Sequence, residues 1–553
     1  MRALISVSDK TGIVELANEL EKLQFEIVST GGTAKTLRQA EISTQEVSDL
    51  TGFPEILGGR VKTLHPKIFG GILYCRDNQN HKNDMENQSI QSIDWVIVNL
   101  YPFERIHMEN KIPKAEMLEF IDIGGVSLLR AAAKNYSDVV VLCDNSDYNL
   151  VIQELILTQR VSLATRKNLA SKAFMHTAHY DSMIAKYFRN GAGKDHNKEI
   201  QSPFPDELTL GMKKVLDLRY GENPQQKACL YRESGERNWG VVNAEKIQGK
   251  ELSFNNYLDL DSAWQIVNSF NLPQSGQEGP GGLQVGQHGA NGVCCVIIKH
   301  TNPCGTAIAA NALDSFRLAL STDPLSAFGG IIGFSSTVDQ QTAEQISKTF
   351  FECIIAPEYT QEALELFKTK PNLRVLRQST ILSLPYEFDM KKISGGLLVQ
   401  QKDWEDTVLS RVKPGEEQKV VSKRAPTPEE IYSLNFAWNV CKYVKSNAIV
   451  LAQGTLTHGI GAGQMSRIDS LNIAMQKART RVQQLQKNPT HTLPLVLASD
   501  AFFPFRDCVD EAAKFGVTAI MQPGGSLRDQ ESIDAANEHN VALIFTGIRH
   551  FRH

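Results

Sequence analysis

An adjacent lysine and histidine, Lys299-His300, are the most informative pair of reactive side chains in this sequence. They follow an apolar, β-rich run from Val293 to Ile298, which predicts a buried strand. Asn302-Pro303 and Gly305 then predict a turn that lifts both side chains out of the core. Because a cationic neighbour favours the neutral imidazole, His300 could act as a general base without a metal. An ordinary strand end with a solvated lysine is the alternative.

Two turns near the N-terminus have the composition of anion-binding loops. Each follows a predicted strand, opens a helix and contains glycine with hydroxyl side chains. Backbone N–H groups at a helix N-terminus carry partial positive charge, so a phosphomonoester would fit there. Neither loop is a Walker A or GxGxxG motif, which disfavours ATP and NAD, and simple helix capping is the alternative. The candidate ligands are Ser8, Lys10, Thr11, Thr30, Gly31, Gly32 and Thr33.

Further reactive side chains follow in the same region. They are Arg60, Lys62 and Thr63 in a turn, Tyr101 at a strand end, Asp122 before a helix, and Arg130 and Lys134 on that helix, four residues apart. Doubly wound sheets bind ligands at the C-terminal edge of their strands. We therefore expect these segments to converge there.

Length and composition restrict the class of protein. The 553 residues, 42% hydrophobic and 22% charged, predict a soluble globular chain of about three or four domains. A net charge of −4 and a pI near 6.4 give no general attraction for nucleic acid or membranes. The nine cysteines show no zinc spacing. No signal peptide or long apolar span is recognisable, so we expect a cytoplasmic protein.

The order of elements predicts a parallel α/β domain over residues 1–198, because short strands alternate with amphipathic helices. The polar stretch 190–202 predicts a linker to a second domain, residues 199–553. The predicted strands are Ala3–Val7, Glu26–Val28, Trp95–Asn99 and Val139–Leu142, and the predicted helices are Ile13–Lys22, Ala34–Ala40 and Val126–Asn135.

A weak internal repeat divides the second domain at about residues 210–385 and 386–553. In each part an Ala-Trp pair, Ala263-Trp264 or Ala437-Trp438, is taken to begin a helix. An apolar strand is then expected to end in the Lys-His pair or in Lys445-Ser446-Asn447. A duplicated α/β unit is predicted, with chance similarity as the alternative.

These segments together resemble one family. In chain order they read SVSDKTG, STGGTAK, GGRVKTLHP, NLYPF, IDIGG, RAAAKN, LRYGENPQQ, KHTNPCG, SNAIV, GIGAGQMSR and SDAFFPFRD. The chain is similar, essentially from end to end, to the bifunctional purine-biosynthesis enzymes. Those enzymes combine transformylase activity on AICAR (5-aminoimidazole-4-carboxamide ribonucleotide) with IMP cyclohydrolase activity.

The resemblance implies a methylglyoxal-synthase-like, doubly wound parallel sheet in the first domain, which would close the purine ring. It implies a duplicated, cytidine-deaminase-like α/β domain in the second, which would formylate AICAR. The small molecules would be AICAR, formyl-AICAR, IMP and folate, with 10-formyltetrahydrofolate as co-substrate and neither a tightly bound cofactor nor a metal. A homodimer with transformylase sites at the subunit interface is also implied.

For formyl transfer, the amine of AICAR is a weak nucleophile because its lone pair is delocalised, so orientation and proton removal must do most of the catalysis. His300 is the candidate base, and Lys299 would stabilise the oxyanion or keep the imidazole neutral. The resemblance assigns a hydrogen bond to the formyl group to Asn447. It also assigns Arg219, Tyr220 and Arg549 to the ribonucleotide, Phe502, Phe503 and Pro504 to folate, and Asn256, Gly329 and His553 to further substrate contacts. A core position for Phe502–Pro504 and a frayed C-terminal tail are the alternatives.

Ring closure is intramolecular, since the carboxamide nitrogen need only reach the formyl carbon before water leaves. With the family in view, Lys134 and Asp122 would activate the amide nitrogen and Tyr101 would donate to the formyl oxygen. Lys62 and Thr63 would help hold the base, and Arg60, Lys10 and the two small-residue loops would hold the phosphate.

Two other classes share parts of this pattern. A zinc-dependent nucleobase deaminase would need a PCxxC segment, but Pro303-Cys304-Gly305-Thr306 lacks the second cysteine. A non-catalytic phosphate-sensing module would share the first fold, although Tyr101, Asp122 and Lys134 favour chemistry there. Two features depart from the family pattern, namely a Gly/Gln-rich insert at 271–292, expected to be a surface loop, and Glu352, which stands where relatives use Asp.

Overall fold

The computed structural model describes residues 1–109, 112–113, 116–192, 204–235, 240–270, 292–379, 388–403, 419–487 and 493–553. The chain forms two compact units, Met1–Lys213 with Tyr231–Arg237, and Lys214–Leu230 with Asn238–His553. Residues 271–291 of the predicted insert and 193–202 of the predicted linker lie outside the described residues.

A five-stranded parallel sheet forms the centre of the first unit. Its strands are β1 (Arg2–Val7), β2 (Glu26–Ser29), β3 (Gln45–Glu46), β4 (Trp95–Asn99) and β5 (Val140–Leu142). Its helices are α1 (Ile13–Lys22), α2 (Gly31–Gln39), α3 (Val47–Thr51), α4 (Pro66–Leu73), α5 (Gln79–Asn87), α6 (Phe103–Glu109), α7 (Gly124–Lys134), α8 (Tyr148–Thr158) and α9 (Leu163–Ala192). The strand order is β3-β2-β1-β4-β5, so the connections reverse direction between β1 and β4. Doubly wound sheets bind ligands at such a switch point.

Continuous apolar runs form the central strands because helices cover both faces of the sheet. Ile5 of β1 lies between Ile97 of β4 and Ser29 of β2, and all three are fully buried. The predicted elements of this unit match the observed bounds to within three residues. The largest difference is at α2, which begins at Gly31 and not at Ala34, because the two glycines form its first turn.

A twelve-stranded mixed sheet forms the centre of the second unit. Its strands are β8 (Glu245–Gln248), β9 (Val293–Lys299), β10 (Asn302–Ala309), β11 (Ile331–Phe334), β12 (Cys353–Ala356), β13 (Arg374–Arg377), β16 (Lys419–Val420), β17 (Ile449–Gln453), β18 (Leu456–Gly461), β19 (Val496–Ser499), β20 (Ala519–Gln522) and β21 (Ala542–Phe545). Two-stranded sheets join β6 (Met212–Leu218) to β7 (Ala228–Glu233), and β14 (Phe388–Ile393) to β15 (Gly396–Gln401).

Helices cover this sheet and connect its strands. They are α10 (Phe254–Ser269), α11 (Ala312–Thr322), α12 (Pro324–Ala327), α13 (Gln340–Ile346), α14 (Gln361–Lys368), α15 (Pro428–Cys441), α16 (Arg467–Lys487), α17 (Asp507–Phe515) and α18 (Asp529–Glu538). None of the helices in the described ranges has both the length and the apolar character needed to cross a membrane.

The strand order shows that the second domain is a duplicated α/β unit. From the centre outward, one half reads β10, β9, β11, β12, β13, β8, and the other reads β18, β17, β19, β20, β21, β16. β10 and β18 pair antiparallel at the centre, with Ala307 opposite Leu456. The predicted fold class, a doubly wound parallel sheet followed by a duplicated α/β domain, is therefore confirmed.

Two markers used for the repeat are wrong in position. Ala263-Trp264 and Ala437-Trp438 lie well inside α10 and α15, because capping boxes at Ser253 and Thr427 begin both helices earlier. Lys445-Ser446-Asn447 precede β17 and do not end a strand. The Ala-Trp pairs nevertheless lie at the same place in the two halves, ten residues after the capping residue of each helix, whereas the two lysine-containing strings lie at opposite ends of their strands.

The predicted turn at Asn302-Pro303 is also wrong in position. Lys299 pairs with Asn302, so the chain reverses at His300 and Thr301, whose φ angles are 53° and 62°. Pro303 lies inside β10, at a register shift. A bulge tolerates proline because its nitrogen need not donate to the ladder.

Glycines in β10 and β18 let a helix lie directly on each strand. A Cβ on Gly305 would lie 2.0 Å from the carbonyl oxygen of Ala319 in α11. A Cβ on Gly459 would lie 2.0 Å from the carbonyl oxygen of Ala474 in α16. The two halves therefore share the same helix-on-strand contact, and backbone atoms on both sides leave no room for a side chain.

We expect Gly459→Ala to destabilise the second unit by about 1–3 kcal/mol or more, because the overpacked backbone must move. Urea unfolding followed by tryptophan fluorescence measures the effect. Gly396→Ala is the matched control, since its Cβ would meet only Ile393 side-chain atoms at 3.9 Å or more. An unchanged midpoint for Gly459→Ala would contradict the close contact.

Candidate active sites

A cavity of about 670 Å³ opens at the C-terminal ends of β1, β2 and β4 in the first unit. It lies at the switch point of the sheet, where the loops after these three strands meet two later segments, 58–63 and 118–125. The predicted residues that line it are Ser8, Lys10, Thr30, Gly32, Thr33, Arg60, Lys62, Thr63, Tyr101 and Asp122. Residues distant in sequence thus surround one space large enough for a nucleotide.

One end of the cavity is suited to an anion. The first turns of α2 and α7 contribute Gly32, Thr33, Gly124 and Gly125 to its wall. The Lys10 ammonium donates to the Val7 carbonyl and to Thr33 Oγ1, the latter at 3.2 Å. Burial lowers the pKa of Lys10, and the charge of Lys62 acts in the same direction. The N-terminus of a helix beside a lysine suits a phosphate.

A second cation of the cavity is already paired. Both exposed partners, Arg60 and Glu119, line the cavity, and two guanidinium N–H groups donate to the carboxylate, from Nε at 3.1 Å. The hydrogen bonds that Arg60 donates to Glu119 raise the pKa of Arg60. A phosphate bound by Arg60 would therefore take the place of the Glu119 carboxylate.

Asp122 is held in the cavity wall by the start of α7. Its Oδ1 accepts the N–H of Gly125 at 2.7 Å. Burial raises the pKa of Asp122, while the N–H groups of Gly125 and Tyr101 and the charge of Lys62 lower it. A Cβ on Gly125 would lie 2.5 Å from Asp122 Oδ2, and one on Gly124 would lie 2.8 Å from Thr63 Oγ1. Only glycines allow these side chains to approach the helix so closely.

Two residues that the sequence analysis did not assign also shape this site. Tyr180 is buried in α9, and its hydroxyl donates to the Phe120 carbonyl at 2.8 Å and accepts the Asp122 N–H at 3.0 Å. Asn99 Oδ1 accepts the N–H groups of Ser8 and Asp9, which fixes the first loop. Asn99 begins the string NLYPF, which also contains Tyr101. Tyr180 has no signal in the sequence because it lies in a long helix, 58 residues from Asp122.

Three predicted residues do not line this cavity. Thr11 donates its hydroxyl to Asp9 Oδ1 at 2.7 Å, and Gly31 begins α2 without reaching the cavity wall. Lys134 ends α7, ten residues after Gly124, or about 15 Å along the helix axis. It lines a second cavity of about 640 Å³, together with Arg130. The prediction that Asp122 and Lys134 act on one atom is therefore not supported by their positions within this chain.

In the second unit, the Lys299-His300 pair lies at the tip of the β9–β10 hairpin. His300 is exposed, as a base that must reach a substrate requires. The Lys299 ammonium donates to the carbonyls of Phe328 and Gly329 at 3.0 and 3.3 Å. Gly329, a predicted substrate contact, thus lies beside the predicted catalytic lysine.

Asn447 is brought to the same hairpin by its own segment. Lys445 N–H donates to Asn302 Oδ1 at 2.9 Å, which ties this segment to the turn after His300. The Asn447 side chain donates to the Gln464 carbonyl at 2.8 Å and accepts from Arg467 Nη2 at 2.7 Å. Both ends of the amide are therefore oriented by neighbouring groups.

A buried ion pair lies beneath Asn447. Arg467 and Asp500 are 6% and 0% exposed and bond directly. Asp500 also accepts the N–H of Ala448 at 3.0 Å and the hydroxyl of Ser446. Arg467 ends the string GIGAGQMSR, but the sequence analysis assigns it no role.

The C-terminal tail is ordered and lies on this group. Ser446 N–H donates to the Arg552 carbonyl at 2.9 Å, and His550 N–H donates to the Asp500 carbonyl at 3.0 Å. The buried His550 ring also bonds to Asp403. The alternative of a frayed end is therefore wrong for these residues.

The other residues predicted to contact substrate in the second unit bond mainly to neighbours of their own. The Arg219 guanidinium lies 5.4 Å from the centre of the Tyr220 ring. Asn256 completes the capping box of α10 by accepting the N–H of Ser253, and it donates to Glu352 Oε2 at 2.9 Å. Arg549 stacks on Phe551, and the His553 carbonyl accepts from Lys391.

Phe503 is fully buried in the core, so its ring cannot contact folate in this structure, whereas Phe502 and Pro504 are half-buried. For Phe503 the core alternative is the correct one. The reason is that its ring is part of the hydrophobic core of the second half of this domain.

Pro303-Cys304-Gly305-Thr306, the segment in which a zinc-dependent deaminase would hold its metal, lies in β10. Cys304 Sγ donates to the Ile297 carbonyl at 3.4 Å, and burial raises the pKa of Cys304 to about 12. Among the residues that the structure describes, no three His, Cys, Asp or Glu side chains are grouped as a metal site would require.

Comparison with known proteins identifies relatives over the whole chain. Residues 12–127 match the family described as an MGS-like domain, and residues 132–477 match the AICARFT/IMPCHase bienzyme family. The bifunctional purine biosynthesis protein PurH of Acetivibrio thermocellus is 47% identical over 554 aligned positions, covering 100% of this chain and 99% of that protein. PurH of Aquifex aeolicus is 48% identical over 553, covering 100% of both chains.

A solved structure titled "Crystal structure of ForH" is 36% identical to this chain. It covers 35% of this chain and 98% of its own, with a TM-score of 0.32. The assignment rests on the full-length relatives and on the family match, which spans more than half of the residues. The chain belongs to the AICARFT/IMPCHase bienzyme family.

Proposed function

We propose that this chain catalyses two steps of purine biosynthesis at two separate sites. One site formylates AICAR with 10-formyltetrahydrofolate, and the other closes formyl-AICAR to IMP. Ring closure is assigned to residues 1–198 and formyl transfer to residues 199–553, whose repeated parts span about 210–385 and 386–553. The observation that carries the proposal is that ten predicted residues line one cavity in the first unit, while the hairpin with His300 belongs to the second unit.

In the proposed ring closure, the Asp122 carboxylate takes a proton from the carboxamide nitrogen as that nitrogen attacks the formyl carbon. Tyr101 gives its proton to the formyl oxygen, and Asp122 then returns its proton to the resulting hydroxyl, which leaves as water while the proton of the former amine nitrogen passes to Tyr101. Lys62 and Thr63 hold the base, and the phosphate lies against Lys10, Arg60 and the first turn of α2. A cavity wall that fixes both reacting groups favours this reaction because the attack is intramolecular.

In the proposed formyl transfer, the amine of AICAR attacks the formyl carbon while His300 removes its proton. The bond from carbon to N10 of the folate then breaks as the protonated His300 gives that proton to N10, and tetrahydrofolate leaves. Lys299 stabilises the oxyanion from its place beside the Phe328 and Gly329 carbonyls. Asn447, oriented by Gln464 and Arg467, donates to the formyl group.

The finer points of the assignment are also proposals. Folate acts as a co-substrate and not as a tightly bound cofactor, and the protein is a cytoplasmic homodimer without nucleic-acid or membrane partners. Arg219, Tyr220, Asn256, Gly329, Arg549 and His553 contact substrate in the second site. The zinc deaminase and the phosphate sensor have no support among the relatives, which carry the name of a bifunctional biosynthetic protein.

Purified protein given AICAR and 10-formyltetrahydrofolate is expected to form IMP, detected by chromatography and mass spectrometry. Omission of the folate is the control and must leave AICAR unchanged. Loss of ammonia from AICAR without folate would instead support a deaminase, and absence of any turnover would support a binding module.

His300→Ala is expected to lower formylation by about 10²–10⁴-fold, because a general base contributes that much. Conversion of added formyl-AICAR to IMP should be unchanged in this variant. Asp122→Asn should show the opposite pattern, and each assay is the control for the other. If either substitution stops both reactions in a folded protein, the two-site proposal fails.

Lys134→Leu tests a role that rests on the resemblance alone. On that assignment it stops ring closure and leaves formylation intact. Retained ring closure would exclude Lys134 from the ring-closing machinery, in agreement with its place on the second cavity.

The pH dependence of ring closure should report Asp122. Because burial raises the pKa of Asp122, its carboxylate takes up a proton at a higher pH than an exposed aspartate. The rate with formyl-AICAR should therefore fall on acidification already above the usual aspartate range. Asp122→Asn should remove this acidic limb from the kcat profile, and a profile unchanged by the substitution would rule out Asp122 as the base.

A further inference from the structure

The turn that carries His300 has an unfavourable backbone. His300 and Thr301 are the two residues between the paired Lys299 and Asn302, and both have positive φ angles, 53° and 62°. Two-residue hairpin turns with two positive φ angles strongly prefer glycine, asparagine or aspartate at these positions. A histidine and a threonine there need stabilising contacts from the surrounding structure.

Asp259 of α10 supplies such a contact. Its Oδ1 accepts the N–H of Thr301 at 2.6 Å, and the backbone N–H of His300 lowers the pKa of the same carboxyl group. Successive N–H groups in a turn of this kind form a small concave site for an anion. The carboxylate therefore fills the site that the strained turn creates and holds it in place.

The helix that carries Asp259 also holds two other parts of the proposed formyl-transfer site. Asn255 donates to the Glu222 carbonyl at 3.3 Å, in the loop that follows Arg219 and Tyr220. Asn256 donates to Glu352 at 2.9 Å. Positions three and four residues apart share one helix face, so Asn255, Asn256 and Asp259 face the same side.

We propose that Asp259 is a positioning residue for formyl transfer, whose carboxylate fixes the His300-Thr301 turn and thereby the imidazole of His300. This inference depends on the proposed function, in which His300 is the base. Asp259 acts on the backbone of the turn and does not contact the reacting atoms. Its loss should therefore lower kcat for formylation and change KM for AICAR little.

The first test compares Asp259→Ala with Asp339→Ala. Asp339 caps α13 and accepts the N–H of Thr342 at 2.8 Å and its hydroxyl at 2.6 Å, so that variant also loses a carboxylate bonded to backbone. We expect Asp259→Ala to lower kcat for formylation by about 10–100-fold, because small displacements of a catalytic group cost that much. Asp339→Ala should stay within about twofold of the native rate, and ring closure should be unchanged in both.

The second test asks whether strain in the turn is the cause. Glycine adopts positive φ without steric cost, so Thr301→Gly should restore much of the lost kcat in the Asp259→Ala background. Asp259→Asn keeps an acceptor oxygen and should retain more activity than Asp259→Ala. It also provides the measurement if the alanine variant fails to fold, as judged by thermal unfolding.

The outcomes separate this proposal from the function on which it depends. Native formylation by Asp259→Ala, a loss equal to that of Asp339→Ala, or no restoration by Thr301→Gly would each overturn the positioning role. Those results would leave the function intact provided that His300→Ala still abolishes formylation. If His300→Ala formylates normally, the proposed base itself is wrong.

Discussion

Buried backbone N–H groups must find an acceptor, and in both units of this protein an aspartate supplies it at the candidate site. Asp122 accepts from Gly125, Asp259 from Thr301, and Asp500 from Ala448. An N–H group without a partner in such a place costs free energy comparable to a lost hydrogen bond. Each carboxylate therefore fixes the course of the chain where reactive side chains must be held.

The same interaction has different consequences at the three positions. Asp122 faces the cavity, so the group that fixes the start of α7 is also available for proton transfer. Asp259 instead bonds to the backbone of the turn that carries His300. Asp500 bonds to the backbone of the residue that follows Asn447. Both carboxyl groups are half-buried, and burial raises the pKa of Asp122 and of Asp259.

The two halves of the second domain have the same strand order. The segments that carry their proposed reactive residues nevertheless differ in position. Lys299-His300 end β9 in one half, whereas Lys445-Ser446-Asn447 precede the equivalent strand, β17, in the other. The hydrogen bond between Lys445 N–H and Asn302 joins these two segments across the repeat. One half thus presents the proposed base, and the other presents the amide that would orient the formyl group.

The sequence by itself determined the fold class, four of the five strands of the first sheet and the family, because apolar periodicity and long ordered strings are local properties of the chain. It also identified ten residues that line one cavity, since residues at the carboxyl ends of parallel strands meet at one edge. Only the tertiary structure decided what depends on distant pairing. It moved the hairpin turn to His300-Thr301, buried Phe503, separated Lys134 from Asp122, and revealed Tyr180, Arg467 and Asp259. Their partners lie 20 to 58 residues away along the chain, and no local pattern records a contact over such a separation.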